Sequence, residues 1–200
     1  MTAWMYRLLI MGLVFFGITP ASRHANDDQP GLLNVHIRDY CDPVSFAAIG
    51  CVRTTTPVSA GVITFSGFQA ELGADKSVGA WRFVPDRAEP EEGLSLMLLN
   101  LGGETHTFTR VREFGGGFFA PLNAASGNPV PAPECARMVN GQLAPQPPSP
   151  DNIFLAGNSS AAGPVVPEGQ TAKFQCCIHP WMRMTINSKE HQENNDGHER

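Results

Sequence analysis

The stretch FQCCIHPWMRMTI, Phe174 to Ile186, gathers two adjacent cysteines, a histidine and two methionines within nine residues. Cys176, His179 and Met182 follow one another with two residues between each pair. A thiolate, an imidazole and a thioether at such intervals can turn toward one point from a tight loop, and Pro180 stiffens that loop. Soft sulfur donors with imidazole select copper over calcium or magnesium. Two other uses of the same residues stand beside this one. A tetrahedral zinc or copper(I) site would draw on both Cys176 and Cys177, yet neighbouring side chains of a strand face opposite ways, so both reach one ion only if the strand ends between them. A purely structural disulfide cluster is the third. Met184 falls in the strand that follows and is expected to pack in the core.

A copper site of this kind lacks one more imidazole. His24 lies near the N-terminus, His191 and His198 lie in a polar tail, and His36 sits in a strand with no turn beside it. His106 is the better candidate, because NLGGETHTFTRV places it just after a turn and at the start of a strand, where a sheet could hold it.

Around these residues the chain reads as short strands: GLLNVHIR (31–38), VGAWRFVP (78–85), GLSLMLLNL (93–101), THTFTRV (105–111), NIFLAG (152–157), a strand within VVPEGQTAKFQC and a last one at RMTIN (183–187). Apolar or β-branched alternation between turn signals marks them. Two short helices are expected early. DPVSFAAIG (42–50) opens with Asp-Pro and ends on Gly, and VITFSGFQAELGAD (62–75) puts Phe65, Phe68 and Leu72 on one helical face. Residues 115–163, rich in Gly, Pro, Asn and Ser, read as a long loop region broken only by NIFLAG. The pattern predicts a β-sandwich or barrel.

The ends bear on the compartment. Arg7 leads the 11-residue apolar run Leu8–Ile18, and Thr19 and Ala21 offer a cleavage site, so 1–21 reads as a signal peptide. The run is shorter than the ~20 residues of a membrane-spanning helix, which leaves no stable span after cleavage. Removing Arg7 leaves 13 basic against 19 acidic residues, a balance of -6, which argues against nucleic acid. The tail 188–200 has no aliphatic or aromatic residue and reads as disordered. Five cysteines in an exported chain should mostly pair. Cys41 and Cys51 bracket the first short helix and are expected to join, and if Cys176 is kept for metal, Cys135 and Cys177 remain as a second pair.

The chain resembles the cupredoxin family, the small blue copper proteins of the plastocyanin and amicyanin kind. The resemblance rests on Asn100, five residues and His106, then on Cys176, His179 and Met182 in a short loop between the last two strands. It implies an all-β Greek-key sandwich over 78–187, with 31–77 as an N-terminal elaboration carrying the short helices. It further implies one type 1 copper ion held by His106, Cys176, His179 and Met182, with no catalytic residue, in a monomeric periplasmic or secreted carrier of single electrons between redox partner proteins. The alternative is a copper-binding or copper-delivery protein with no shuttle role. In that family the imidazole corresponding to His179 reaches the surface in an apolar patch, to which Pro180 and Trp181 would contribute here. Thr107 stands where many members have an asparagine that braces the cysteine loop, and the 70 positions from His106 to Cys176 imply an insertion that contains the Pro-rich stretch.

Overall fold

In the computed structural model, which describes residues 31–51, 62–91 and 93–190, strands form where apolar side chains alternate, since a period of two puts them on one face. The elements in order are β1 (Gly31–Arg38), α1 (Phe65–Asp75), β2 (Arg82–Val84), β3 (Arg87–Ala88), β4 (Leu94–Asn100), β5 (His106–Val111), α2 (Ala120–Ala125), β6 (Ala136–Val139), β7 (Gln142–Pro145), β8 (Asn152–Leu155), β9 (Ser160–Ala162), β10 (Thr171–Gln175) and β11 (Arg183–Asn187). One sheet has the order β2-β1-β4-β9 and the other β3-β11-β10-β5-β8, while β6 and β7 form a separate hairpin. Val35, Ile37, Phe83, Leu96 and Leu98 of the first sheet meet Phe108, Phe174, Met184 and Ile186 of the second in one core. Across that core the rings of Phe83 and Phe108 make an edge contact with centroids 5.1 Å apart, and Phe108 stacks on Phe174 at 4.5 Å. The fold is an all-β sandwich with short helical additions. Met184 packs in its core, fully buried.

The stretch 31–77, expected outside the sandwich, supplies one of its inner strands. β1 runs parallel to β4, from Gly31 opposite Leu94 to Ile37 opposite Asn100. Its far end therefore lies beside the turn that leaves β4. The 42–50 segment is a run of turns rather than a helix. Its capping chemistry is present, with Asp42 accepting from the amides of Val44 and Ser45, but the backbone bonds that follow mix three- and four-residue steps. α1 forms as expected: Thr64 Oγ1 accepts from Gly67 N, and Phe68 and Leu72 are buried. The signal peptide, His24, His191 and His198 lie outside the described residues, as does all of the polar tail beyond Glu190.

Residues 115–163 hold more structure than a loop. α2, the β6–β7 hairpin, β8 and β9 all fall there. β5 is buried on both faces. Phe108 faces the inter-sheet core, whereas Val111 joins Ala132, Cys135 and Cys177 in a second apolar cluster with Phe114 and Phe118 against it. The excursion thus covers the outer face of the second sheet. Two disulfides, Cys41–Cys51 and Cys135–Cys177, match the expected pairing, and Cys176 is the free, buried cysteine.

Candidate metal centre

The two cysteines follow directly on β10 and face opposite ways. Cys176 belongs to the inter-sheet core and Cys177 to the outer cluster, so the disulfide removes Cys177 from any metal site and the two-cysteine reading fails. Cys176 Sγ lies 3.7 Å from His106 Nδ1 and 3.8 Å from His179 Nδ1. These three ligand atoms are mutually within 4.8 Å, and all three residues are buried. At metal–ligand lengths of about 2.0–2.3 Å, ligands 120° apart are separated by about 3.7 Å. The spacing therefore suits one trigonal ion. Met182, the fourth expected residue, is buried where the loop rejoins the sheet. Its amide donates to His179 O and its carbonyl accepts from Cys176 N, which closes the loop on itself.

The frame around these residues is dense in hydrogen bonds. The amides of Thr107 and His179 donate to Cys176 Sγ at 3.4 and 3.5 Å. Asn100, inward-facing at the end of β4, donates to the carbonyls of Glu104, Leu155 and Ala156 and accepts from Gly102 N. That side chain helps to fix the turn that delivers His106. Thr107 does brace the cysteine loop, its hydroxyl accepting from Cys177 N at 2.6 Å and from the Thr109 hydroxyl. Thr107→Val leaves the buried Cys177 amide without its acceptor, while the Thr109 hydroxyl keeps Asn152 Oδ1 at 2.7 Å, and the change is expected to cost about 2 kcal/mol. Urea unfolding of the metal-free variant measures it; an unchanged midpoint would show that Thr107 carries no brace.

Three contributors escaped the sequence reading. Asp39, just past β1, accepts from His106 Nε2 at 2.9 Å, 67 positions away. Glu104 accepts from Trp81 Nε1 at 2.6 Å and lies 3.6 Å from His179 Nε2. Trp81 comes from the segment before β2, and nothing in linear spacing links any of these three to the metal loop.

His179 is 4 % exposed and Pro180 is buried, which corrects the expectation of a histidine edge in a surface patch. Trp181, half-buried, lies over the imidazole with ring centroids 5.4 Å apart, and Phe68 and Trp81 stand at 6.5 and 6.4 Å. The physical cause is the N-terminal stretch, whose α1 and Trp81 roof this end of the sandwich. A cavity of about 740 Å³, walled by Phe46, Phe68, Leu72, Phe118 and Leu122, reaches His179 and Glu104 from outside.

Without metal, the trio is an ion pair. Burial disfavours the His106 charge, but hydrogen bonds to Asp39 and Cys176, and their charges, outweigh it and raise its pKa from 6.5 to about 10. Burial likewise opposes the Cys176 thiolate, yet both histidines hold its pKa well below 9.0. Burial pushes the Asp39 carboxyl up as well, and His106 with the amides of Gly103 and Glu104 brings it down from 3.8 to about 2. The histidine's stabilisation is complete below pH 6.5 and is lost as pH rises through 10; the cysteine's is complete above 9 and is lost as pH falls. Their sum is level between those limits. Thermal unfolding in chelator is therefore expected to show a Tm contribution that is flat from pH 6.5 to 9 and falls on either side, a profile that Cys176→Ala should lose.

No protein-family model matches the chain, and no curated protein matches it. Among solved structures it is similar to a purple cupredoxin from Nitrosopumilus maritimus, at 12% identity and a TM-score of 0.35 over 78% of this chain and 97% of that one. It is also similar to an auracyanin from Roseiflexus castenholzii, at 13% identity and a TM-score of 0.30 over 54% and 86% of the two chains. A mutant fern plastocyanin gives 17% identity and a TM-score of 0.30 over 78% and 100%. Solved structures similar to the chain thus include cupredoxins and part of a multicopper oxidase from Aquifex aeolicus.

Proposed function

We propose that the protein is an exported type 1 copper protein that carries single electrons between redox partners, with His106, Cys176, His179 and Met182 as its ligands. The observation that carries this reading is the buried two-nitrogen, one-sulfur set, whose Sγ···Nδ1 separations of 3.7 and 3.8 Å fit a single soft ion. Copper bound there would supply a reversible one-electron couple. The chain's own residues supply rigidity: the amides on Sγ, the Asn100 clamp and the Asp39 bond hold the ligands in place. All three of His106, Cys176 and His179 are buried. Ligands that cannot move favour fast transfer, because little rearrangement accompanies the change of oxidation state.

The unit that does this is 78–187 together with β1, with α1 in its roof. Two disulfides support an oxidising compartment. The role is that of a carrier rather than an enzyme. Titrating Cu(II) into the metal-free protein is the test: one equivalent should bind, with an intense visible thiolate-to-copper band that bleaches with reductant and returns with oxidant. A colourless protein, or one that holds only Cu(I) and hands it to a chelator, would overturn the electron-carrier reading in favour of copper delivery.

A further inference from the structure

The strand pairing that places β1 beside β4 leaves a carboxylate behind one metal ligand. Ile37 pairs with Asn100, so the chain two residues further on runs along the turn at 101–105. There Asp39, 1 % exposed, is held from several sides. Its Oδ1 accepts from Gly103 N at 2.9 Å and Cys41 N at 3.3 Å, and its Oδ2 accepts from Glu104 N at 3.0 Å and His106 Nε2 at 2.9 Å. Gly102 has no side chain because the carboxylate occupies that space; a β-carbon there would overlap it. The Cys41–Cys51 disulfide anchors the segment immediately after it. A carboxylate only accepts, so Nε2 of His106 carries a proton and Nδ1 is the nitrogen left to face Cys176.

We propose that Asp39 is the positioning residue of the centre: it fixes the orientation of His106, and its buried negative charge biases the bound ion toward Cu(II). This rests on the copper reading above. Carboxylate–histidine pairs behind a metal both orient the ring and raise its basicity as a ligand. An anion one imidazole away from the ion stabilises the more positive oxidation state, and a buried site screens it weakly. Glu104, 3.6 Å from His179 Nε2, adds a second carboxyl group on the other ring. The consequence is a centre that gives up its electron readily.

Two measurements on the full mature chain test this. In zinc-loaded wild-type protein, nitrogen-15 histidine spectra should show His106 bound through Nδ1, with an Nε2 proton protected from exchange. Metal on Nε2, or a freely exchanging proton there, would overturn the orientation. In copper-loaded protein, Asp39→Asn should shift the Cu(II)/Cu(I) preference at least tenfold toward Cu(I), a rise of 59 mV for a one-electron couple, with the visible band retained. A potential unmoved in a folded, blue Asp39→Asn protein would overturn the charge role alone. If that variant fails to fold, the zinc spectra of the wild type decide. A wild-type chain that binds neither Cu(II) nor Zn(II) would overturn the copper reading itself and this inference with it.

Discussion

Cys176→Ser is expected to give a folded protein with no intense visible band and a copper affinity lower by more than about 100-fold. Losing a partner one shell out from a metal already costs about 10–100-fold, and here the ligand itself is removed. A serine hydroxyl is neutral at ordinary pH and hard, whereas the thiol of Cys176 is held in its ionised form by two histidines. The fold should survive, because oxygen replaces sulfur at one buried position and can still accept from the amides of Thr107 and His179. No second sulfur can step in from the neighbouring residue, since Cys177 is bound to Cys135 on the other side of the sheet. Absorption spectroscopy and a competition titration, run beside circular dichroism, read all three quantities. A band of full intensity in the variant would mean that the thiolate is not the ligand.

The double replacement Cys135→Ala/Cys177→Ala is expected to lower unfolding free energy by about 4 kcal/mol. The bridge closes a loop of sequence separation 42, and the chain-entropy cost released on cutting such a loop is about 4 kcal/mol. The Cys41–Cys51 bridge spans only 10 positions and on the same grounds is worth about 3 kcal/mol. The difference in rank is the sharper expectation. The longer bridge also ties the 115–150 excursion to the strand end that carries Cys176. Phe118 N bonds to Cys177 O, and Gly117 passes so close to that carbonyl that a β-carbon would collide with it. Denaturant unfolding of both double variants under oxidising conditions measures the two losses. Equal losses, or a larger one for the short loop, would contradict the entropic account.

How much of this was legible in the chain follows from the range of each interaction. Cys176, His179 and Met182 were legible because they share one loop, and a few residues of continuous chain cannot carry their side chains far apart. His106 was legible from its turn-then-strand setting. β4, β5, β10 and β11 follow from alternation, α1 from its apolar face, and the Cys41–Cys51 bridge from spacing, whereas Cys135–Cys177 was only the pair left over once Cys176 was set aside for metal. The 42–50 segment misled, because good capping residues are present but the backbone does not continue a helical ladder. The 115–163 stretch misled in the other direction. Only β8, at NIFLAG, was expected there; β9 forms against β4 and β6 against β7, pairings that short stretches of little alternation do not announce.

The sequence by itself determined the candidate metal loop, the strands with clear alternation and the opposite facing of Cys176 and Cys177. Only the tertiary structure decided what surrounds the loop. Asp39 reaches His106 across 67 positions because β1 pairs with β4 in one particular parallel register. Trp81 and Phe68 enclose His179 because α1 and the segment before β2 fold over that end, where Glu104 of the β4–β5 turn meets them. Local spacing fixes which side chains a short loop can gather, whereas contacts between distant segments depend on strand register and on which free face a segment covers, and neither is written in any short stretch of the chain.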